Sequence, residues 1–86
     1  MNLRLFYTRN TPSSHTIDYL RRRLAELDIR FELIDADSRN GIELCELYDL
    51  MQRPALLLTG GDGQVIHQWQ GTLPPATDVS GYYRTG

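Results

Sequence analysis

The sequence predicts a single α/β domain spanning residues 1–86, in which a strand–helix–strand unit is followed by a second helix and a β-hairpin. Three observations carry that expectation. Leucines and an isoleucine recur at helical spacing between two short strand-like runs. A proline opens a continuous apolar run, which suits a strand covered on both faces. A glycine-rich reversal then separates that run from another β-forming segment. The order is β-α-β-α-β-β with a short C-terminal helical segment, and the sheet is mixed and four-stranded.

Residues 3–8, Leu-Arg-Leu-Phe-Tyr-Thr, are apolar and rich in strand formers, so they predict the first strand. The polar stretch that follows carries a helix start: Thr11 suits the N-cap, and Pro12 suits the first helical position, where a missing N–H costs nothing. Ile17, Leu20, Leu24 and Leu27 then form one helix face, with Asp18, Arg22 and Glu26 on another, and Asp28 and Ile29 close the helix. Residues 30–35 begin with polar/apolar alternation that points Phe31 and Leu33 one way, giving a second strand. A strand–helix–strand crossover implies parallel pairing and a right-handed connection.

Residues 37–41 read as a polar loop with Ser38 and Asn40 as candidate caps. The second helix then presents Leu44, Leu47, Tyr48 and Met51 on one side and Glu43 and Glu46 to solvent. Arg53-Pro54 stops it, because proline lacks an N–H and the residue before it avoids helical angles. Residues 55–58 form the third strand, Gly60-Gly61-Asp62-Gly63 the reversal, and residues 65–70 the returning strand. Residues 71–75 lead to a terminal helical segment that packs through Tyr82 and Tyr83, with Trp69 either packed beneath them or exposed near the sheet end as a candidate binding anchor. The last residues fray.

Composition narrows the function. A chain of 86 residues with 41% hydrophobic and 23% charged residues is ordinary for one globular domain. Its basic residues are all arginine, and the net charge of −2 argues against a nucleic-acid footprint. Arg21-Arg22-Arg23 lies within a helical pattern and reads as a solvated face. The chain opens directly into a strand, with no signal-peptide pattern and no apolar run near the ~18 residues of a membrane span, so a cytoplasmic location is expected. Cys45 is the single cysteine, which excludes an internal disulfide and a cysteine-based metal site. His15 and His67 have no ligand cluster around them. Ser14-His15 lacks an orienting acid for nucleophilic catalysis, and Asp35, Asp37 and Asp49 lack the spacing of a calcium loop.

The most specific stretch is Tyr48-Asp49-Leu50-Met51-Gln52-Arg53-Pro54-Ala55-Leu56-Leu57-Leu58, followed by Gly63-Gln64-Val65 and then Gly71. With the element order, it resembles the thioredoxin-like fold at glutaredoxin size, over nearly the whole chain. Ile34-Asp35-Ala36-Asp37 is similar to the acidic strand exit of that family. The resemblance implies a cis peptide bond before Pro54, a form found at only ~5–6% of X–Pro bonds.

By the same resemblance, Thr11-Pro12-Ser13-Ser14 stands where glutaredoxins hold a Cys-Pro-x-Cys dithiol. Exchange requires a thiolate that attacks sulfur, and a threonine hydroxyl offers no alkoxide near neutral pH. The resemblance therefore implies a redox-inactive module without thiol–disulfide oxidoreductase activity. Cys45 falls one turn before Tyr48, where it reads as a small buried hydrophobe rather than a replacement thiol. The expected function is binding of a protein or peptide at the edge formed by the cis-proline and the start of the first helix. The candidate contact residues are Arg9, Thr11, Pro12, Ser13, Ser14, Arg53 and Pro54, and the two arginines favour an acidic segment or a carboxylate.

The alternative is binding of glutathione or another small thiol. Tyr7, Thr11-Pro12 and Pro54-Ala55-Leu56 also resemble the N-terminal domain of glutathione transferases, in which the early hydroxyl donates a hydrogen bond to the glutathione thiolate. The chain departs from that pattern after the hairpin, where Trp69-Gln70-Gly71 replaces the Glu-Ser pair that holds the γ-glutamyl group, and it has no helical second domain. Transferase catalysis is not expected. No other cofactor, no metal, no nucleic acid and no membrane is implied, and the oligomeric state is left open.

Overall fold

The computed structural model describes residues 1–9 and 14–85. The chain runs β1 (Asn2–Tyr7), α1 (Ser14–Glu26), β2 (Glu32–Asp35), α2 (Arg39–Leu47), β3 (Ala55–Thr59), β4 (Val65–Gln70) and α3 (Ala76–Thr85). The strands form one sheet in the order β2-β1-β3-β4. β1 pairs parallel with β2 and antiparallel with β3, and β3 pairs antiparallel with β4. This is the mixed four-stranded sheet that the sequence predicts, with the C-terminal helix added. The proposed caps Thr11 and Pro12 lie outside the described residues, and α1 is helical from Ser14 onward.

Each face of the sheet is covered separately. On one side, Ile17, Leu20 and Leu24 of α1 and Ala76 and Val79 of α3 pack with Leu3, Leu5, Leu56 and Leu58. On the other, Cys45 of α2 and Leu50 pack with Phe6, Ile34, Ala36, Ala55 and Leu57. β3 is buried at all of its residues, as its unbroken apolar run requires, because its alternate side chains enter opposite cores. The C-terminal helix is fixed chiefly by Val79, which is fully buried. Tyr83 joins the same core at its margin, while Tyr82 stacks on His67 at 4.2 Å between ring centroids and meets Trp69 edge-on at 5.6 Å.

Helix ends explain where the sequence reading and the structure differ. α1 closes with Asp28 at φ 59°, the Asp28 N–H donating to Ala25 O and the Ile29 N–H to Leu24 O. α2 closes identically: Asp49 is at φ 59°, its N–H donates to Glu46 O, and the Leu50 N–H donates to Cys45 O. Both are Schellman closures, in which crossed bonds satisfy the last carbonyls and the following apolar residue returns to the core. α2 therefore stops at Leu47, well before the proline that was expected to end it. Leu47 and Met51, expected on the inner face, are 71% and 75% exposed. Met51 lies beyond the helix, and the buried stripe runs through Gly41, Cys45 and the closing Leu50 instead.

At the other end of α2, Ser38 is the N-cap. Its Oγ accepts from the Gly41 N–H at 3.0 Å and donates to Asp35 O at 2.6 Å. Asn40, the other candidate cap, is within the first turn, as is Gly41. Gly41 permits a close approach: a Cβ there would sit 2.0 Å from Asp35 O and 2.9 Å from Ala36 Cα. β2 begins at Glu32 rather than at residue 30. Phe31 and Leu33 do share the α1 face, since Leu33 is opposite Leu5, but β2 is an edge strand and leaves Leu33 37% exposed.

Candidate functional site

The pairing register places the candidate residues. Phe6 is opposite Ala55, and Tyr7 is opposite Asp35. The segment leaving β1 and the segment entering β3 thus meet at one end of the sheet. α1, which follows β1 through a crossover, starts at that same end. Arg9 and Arg53 are both exposed there, and Pro54 is buried. Of the seven candidates, Arg9, Ser14, Arg53 and Pro54 are brought to this end of the fold, whereas Thr11, Pro12 and Ser13 lie outside the described residues. The Arg53–Pro54 peptide bond is cis, as the resemblance implied.

The loop before Pro54 is held from β4. Gln70 Oε1 accepts hydrogen bonds from the Met51 N–H at 2.9 Å and the Gln52 N–H at 3.1 Å. Its Nε2 donates to Asp49 O at 3.3 Å and also to Gln68 Oε1. One residue later, the Gly71 N–H donates to Pro54 O at 2.9 Å. Gly71 has φ 83°, in the left-handed region that favours glycine. Carbonyls and amides on both sides of Arg53 are therefore bonded into the fold. The Arg53 backbone itself joins no hydrogen bond among the described residues. It presents a donor and an acceptor at an exposed position, with rigid anchors before and after it.

Sequence reasoning found Arg53 and Pro54 but missed Gln70, because nothing distinguishes a strand-end glutamine that binds solvent from one that clamps a loop. Glu46 is exposed, as its helical position predicts, but the groove it helps to form was not legible. In the structure Glu46 and Asp49 share a groove with Arg53, floored by Cys45 and Leu50 and bordered by Ile42 and Met51. The Cys45 side chain is nearly inaccessible, at 4% exposure. A thiol so placed packs as a hydrophobe and cannot reach a partner disulfide without local opening. Among the described residues no His, Cys, Asp and Glu side chains gather into a cation-binding group, and no helix is long and apolar enough to cross a membrane.

No protein-family model matches the chain, and no curated protein matches it by sequence. Solved structures match it by shape. A chain from work on the thiol-resolving mechanism of yeast mitochondrial 1-Cys peroxiredoxin via glutathione/thioredoxin systems aligns with a TM-score of 0.69 at 24% identity, covering 95% of this chain and 76% of that one. A thioredoxin from Thermus thermophilus aligns with a TM-score of 0.64 at 17% identity, covering 96% of this chain and 71% of that one. The first two thioredoxin domains of Saccharomyces cerevisiae Eps1p align with a TM-score of 0.60 at 17% identity, covering 96% of this chain and 34% of the other. At such identities the likeness is one of fold: the chain has a thioredoxin-like fold.

Proposed function

We propose that this chain is a redox-inactive thioredoxin-like module that binds an extended protein or peptide segment at the Arg53–Pro54 edge, beside the start of α1. The observation that carries the reading is the Arg53 backbone. Its N–H and C=O join no hydrogen bond among the described residues, at a residue that is exposed, while Gln70 and Gly71 fix the loop on either side. A bound strand gains main-chain hydrogen bonds at such an edge without having to order it first.

The redox side of the reading rests on sulfur. The chain has one cysteine, and its side chain is buried in the core beneath α2, so no dithiol is available for exchange within it. Threonine and serine occupy positions 11 and 14, where the glutaredoxin pattern has cysteine.

Backbone amide shifts during titration with extended peptides test the proposal. Movement centred on Gln52, Arg53 and Arg9 is expected, with no change in helix content. Glutathione at millimolar concentration is the competing ligand: if it alone moves these amides, the site is a small-thiol pocket and the peptide reading fails.

A further inference from the structure

The groove between α2 and the loop that follows it deepens this reading, on which the inference rests. It encloses about 350 Å³ and shares Arg53 with the peptide edge. Its floor is apolar, formed by Leu50 and Cys45, and its borders carry exposed apolar side chains: Met51 is 75% exposed and Ile42 is 46% exposed. Scattered single hydrophobes on a surface need no explanation. Here, however, two of them flank one concave strip that runs into the proposed binding edge.

The polar lining is Glu46, Asp49 and Arg53. None of the three is in an ion pair among the described residues, where the salt bridges are Arg4–Glu32 and Arg23–Glu26. Two carboxylates against one guanidinium leave the groove net negative. Arg9 and Arg53 on their own suggest an acidic ligand; the two carboxylates shift that balance on the α2 side of the edge. A net negative lining around an apolar pocket favours a cation at its rim.

We infer that the segment bound at this edge carries a large apolar side chain next to a lysine or arginine. The apolar group sits against Ile42, Leu50 and Met51, and the neighbouring cation faces Glu46 and Asp49. The apolar contact supplies the burial; the carboxylates choose between partners and steer their approach.

Three unstructured peptides, identical except that a central leucine is flanked by lysine, glutamine or glutamate, distinguish the possibilities when titrated into the isotope-labelled chain at low salt. The lysine peptide is expected to bind about 5- to 10-fold tighter than the glutamate peptide, with amide shifts at Ile42, Glu46, Met51 and Arg53. The margin should narrow near 0.3 M salt, where the Debye length is well under ~10 Å. Glu46→Lys, an exposed change, should shrink or reverse the preference while leaving the spectrum of the fold intact. If the glutamate peptide binds as well or better, with Arg53 still shifting, the edge reading stands and this inference is overturned. If no peptide moves the Arg53 amide, both fall. A concentration-dependent dimer that covers Ile42 and Met51 assigns the groove to a second copy of the chain and likewise overturns the inference.

Discussion

Gln70 Oε1 accepts a hydrogen bond from the Met51 backbone N–H at 2.9 Å, joining the last residue of β4 to the loop that precedes the cis-proline. The same oxygen takes the Gln52 N–H, and the amide nitrogen returns to Asp49 O. One side chain thus satisfies three main-chain groups of a loop that has no secondary structure of its own. Gln70→Ala removes all of these partners. Because the loop is partly solvated, the expected cost is near the lower end of such losses, about 1–2 kcal/mol, measured by urea denaturation. Amide hydrogen exchange at Met51 and Gln52 should accelerate by more than the global change explains, since the opening is local.

Gly41 and Gly61 make a matched pair for substitution by alanine. At Gly41 the new methyl would meet the Asp35 carbonyl oxygen at 2.0 Å. That oxygen and the neighbouring Ala36 Cα are main-chain atoms, held by the Ser38 cap on one side and the end of β2 on the other. Relief requires α2 to lift from the sheet, which opens the core around Cys45 and Leu50. A loss of about 3 kcal/mol, the upper end of overpacking costs, is expected for Gly41→Ala. Gly61, in the hairpin turn, has nothing within 4 Å of its Cβ position. Gly61→Ala should be neutral or stabilise by up to about 1 kcal/mol through the unfolded state.

The two Schellman closures predict gains. Asp28 and Asp49 both hold φ 59°, a conformation that costs an ordinary L-residue roughly 1–2 kcal/mol and glycine almost nothing. Aspartate softens that cost, so Asp28→Gly should stabilise by about 0.5–1 kcal/mol after glycine's larger unfolded-state entropy is subtracted. That corresponds to a melting temperature higher by about 2–8 °C in a domain of this size. Asp49→Gly should stabilise similarly, yet it deletes one groove carboxylate. It is therefore expected to raise stability while weakening binding of a lysine-flanked peptide, a separation that a purely structural role for Asp49 does not produce.

These closures also show what was legible in the sequence. Element order, sheet composition and a cap at Ser38 or Asn40 follow from local chemistry, namely apolar runs and capping residues, whereas the cis bond before Pro54 follows only from the family resemblance. The true end of α2 did not, because an aspartate at positive φ carries no signal as strong as glycine. Extending the helix to Met51 then put Leu47 and Met51 on an inner face that does not exist. Gly41 read as a loop glycine because its reason, a main-chain contact to Asp35, is tertiary. Ala76 and Val79 were overlooked in favour of the larger Tyr82 and Tyr83, although small residues are what let α3 approach the sheet. The candidate site was half legible. Arg53 and Pro54 stand out in the chain; Gln70 and the Glu46–Asp49 groove exist only once β4 and α2 converge on the same loop.

Cys45 should behave as core. Its side chain is 4% exposed and packs with Phe6, Leu50 and Leu57. Labelling by an aromatic disulfide reagent is expected to be slow under native conditions and to accelerate with denaturant in step with unfolding. Cys45→Ala should cost about 1 kcal/mol for the lost contacts, and Cys45→Ser more, about 1–3 kcal/mol, because a hydroxyl without a partner is buried there. Rapid native-state labelling would show an accessible thiol and remove the argument that this chain lacks usable sulfur.

A dithiol can be put back where the glutaredoxin pattern has one. By the glutaredoxin pattern the two cysteines belong at positions 11 and 14, and Ser14 is the first residue of α1; a helix start, with its free N–H groups and dipole, lowers a thiol pKa. The double variant Thr11→Cys with Ser14→Cys is expected to form one intramolecular disulfide on oxidation, detectable as a loss of two free thiols. It should also catalyse insulin reduction in the presence of a dithiol reductant. The unaltered chain should give only the uncatalysed rate, because exchange needs an attacking thiolate and a resolving partner on the same surface. Turnover by the unaltered chain would overturn the redox-inactive reading. A variant that folds but neither closes its disulfide nor turns over would show that positions 11 and 14 do not occupy the dithiol site.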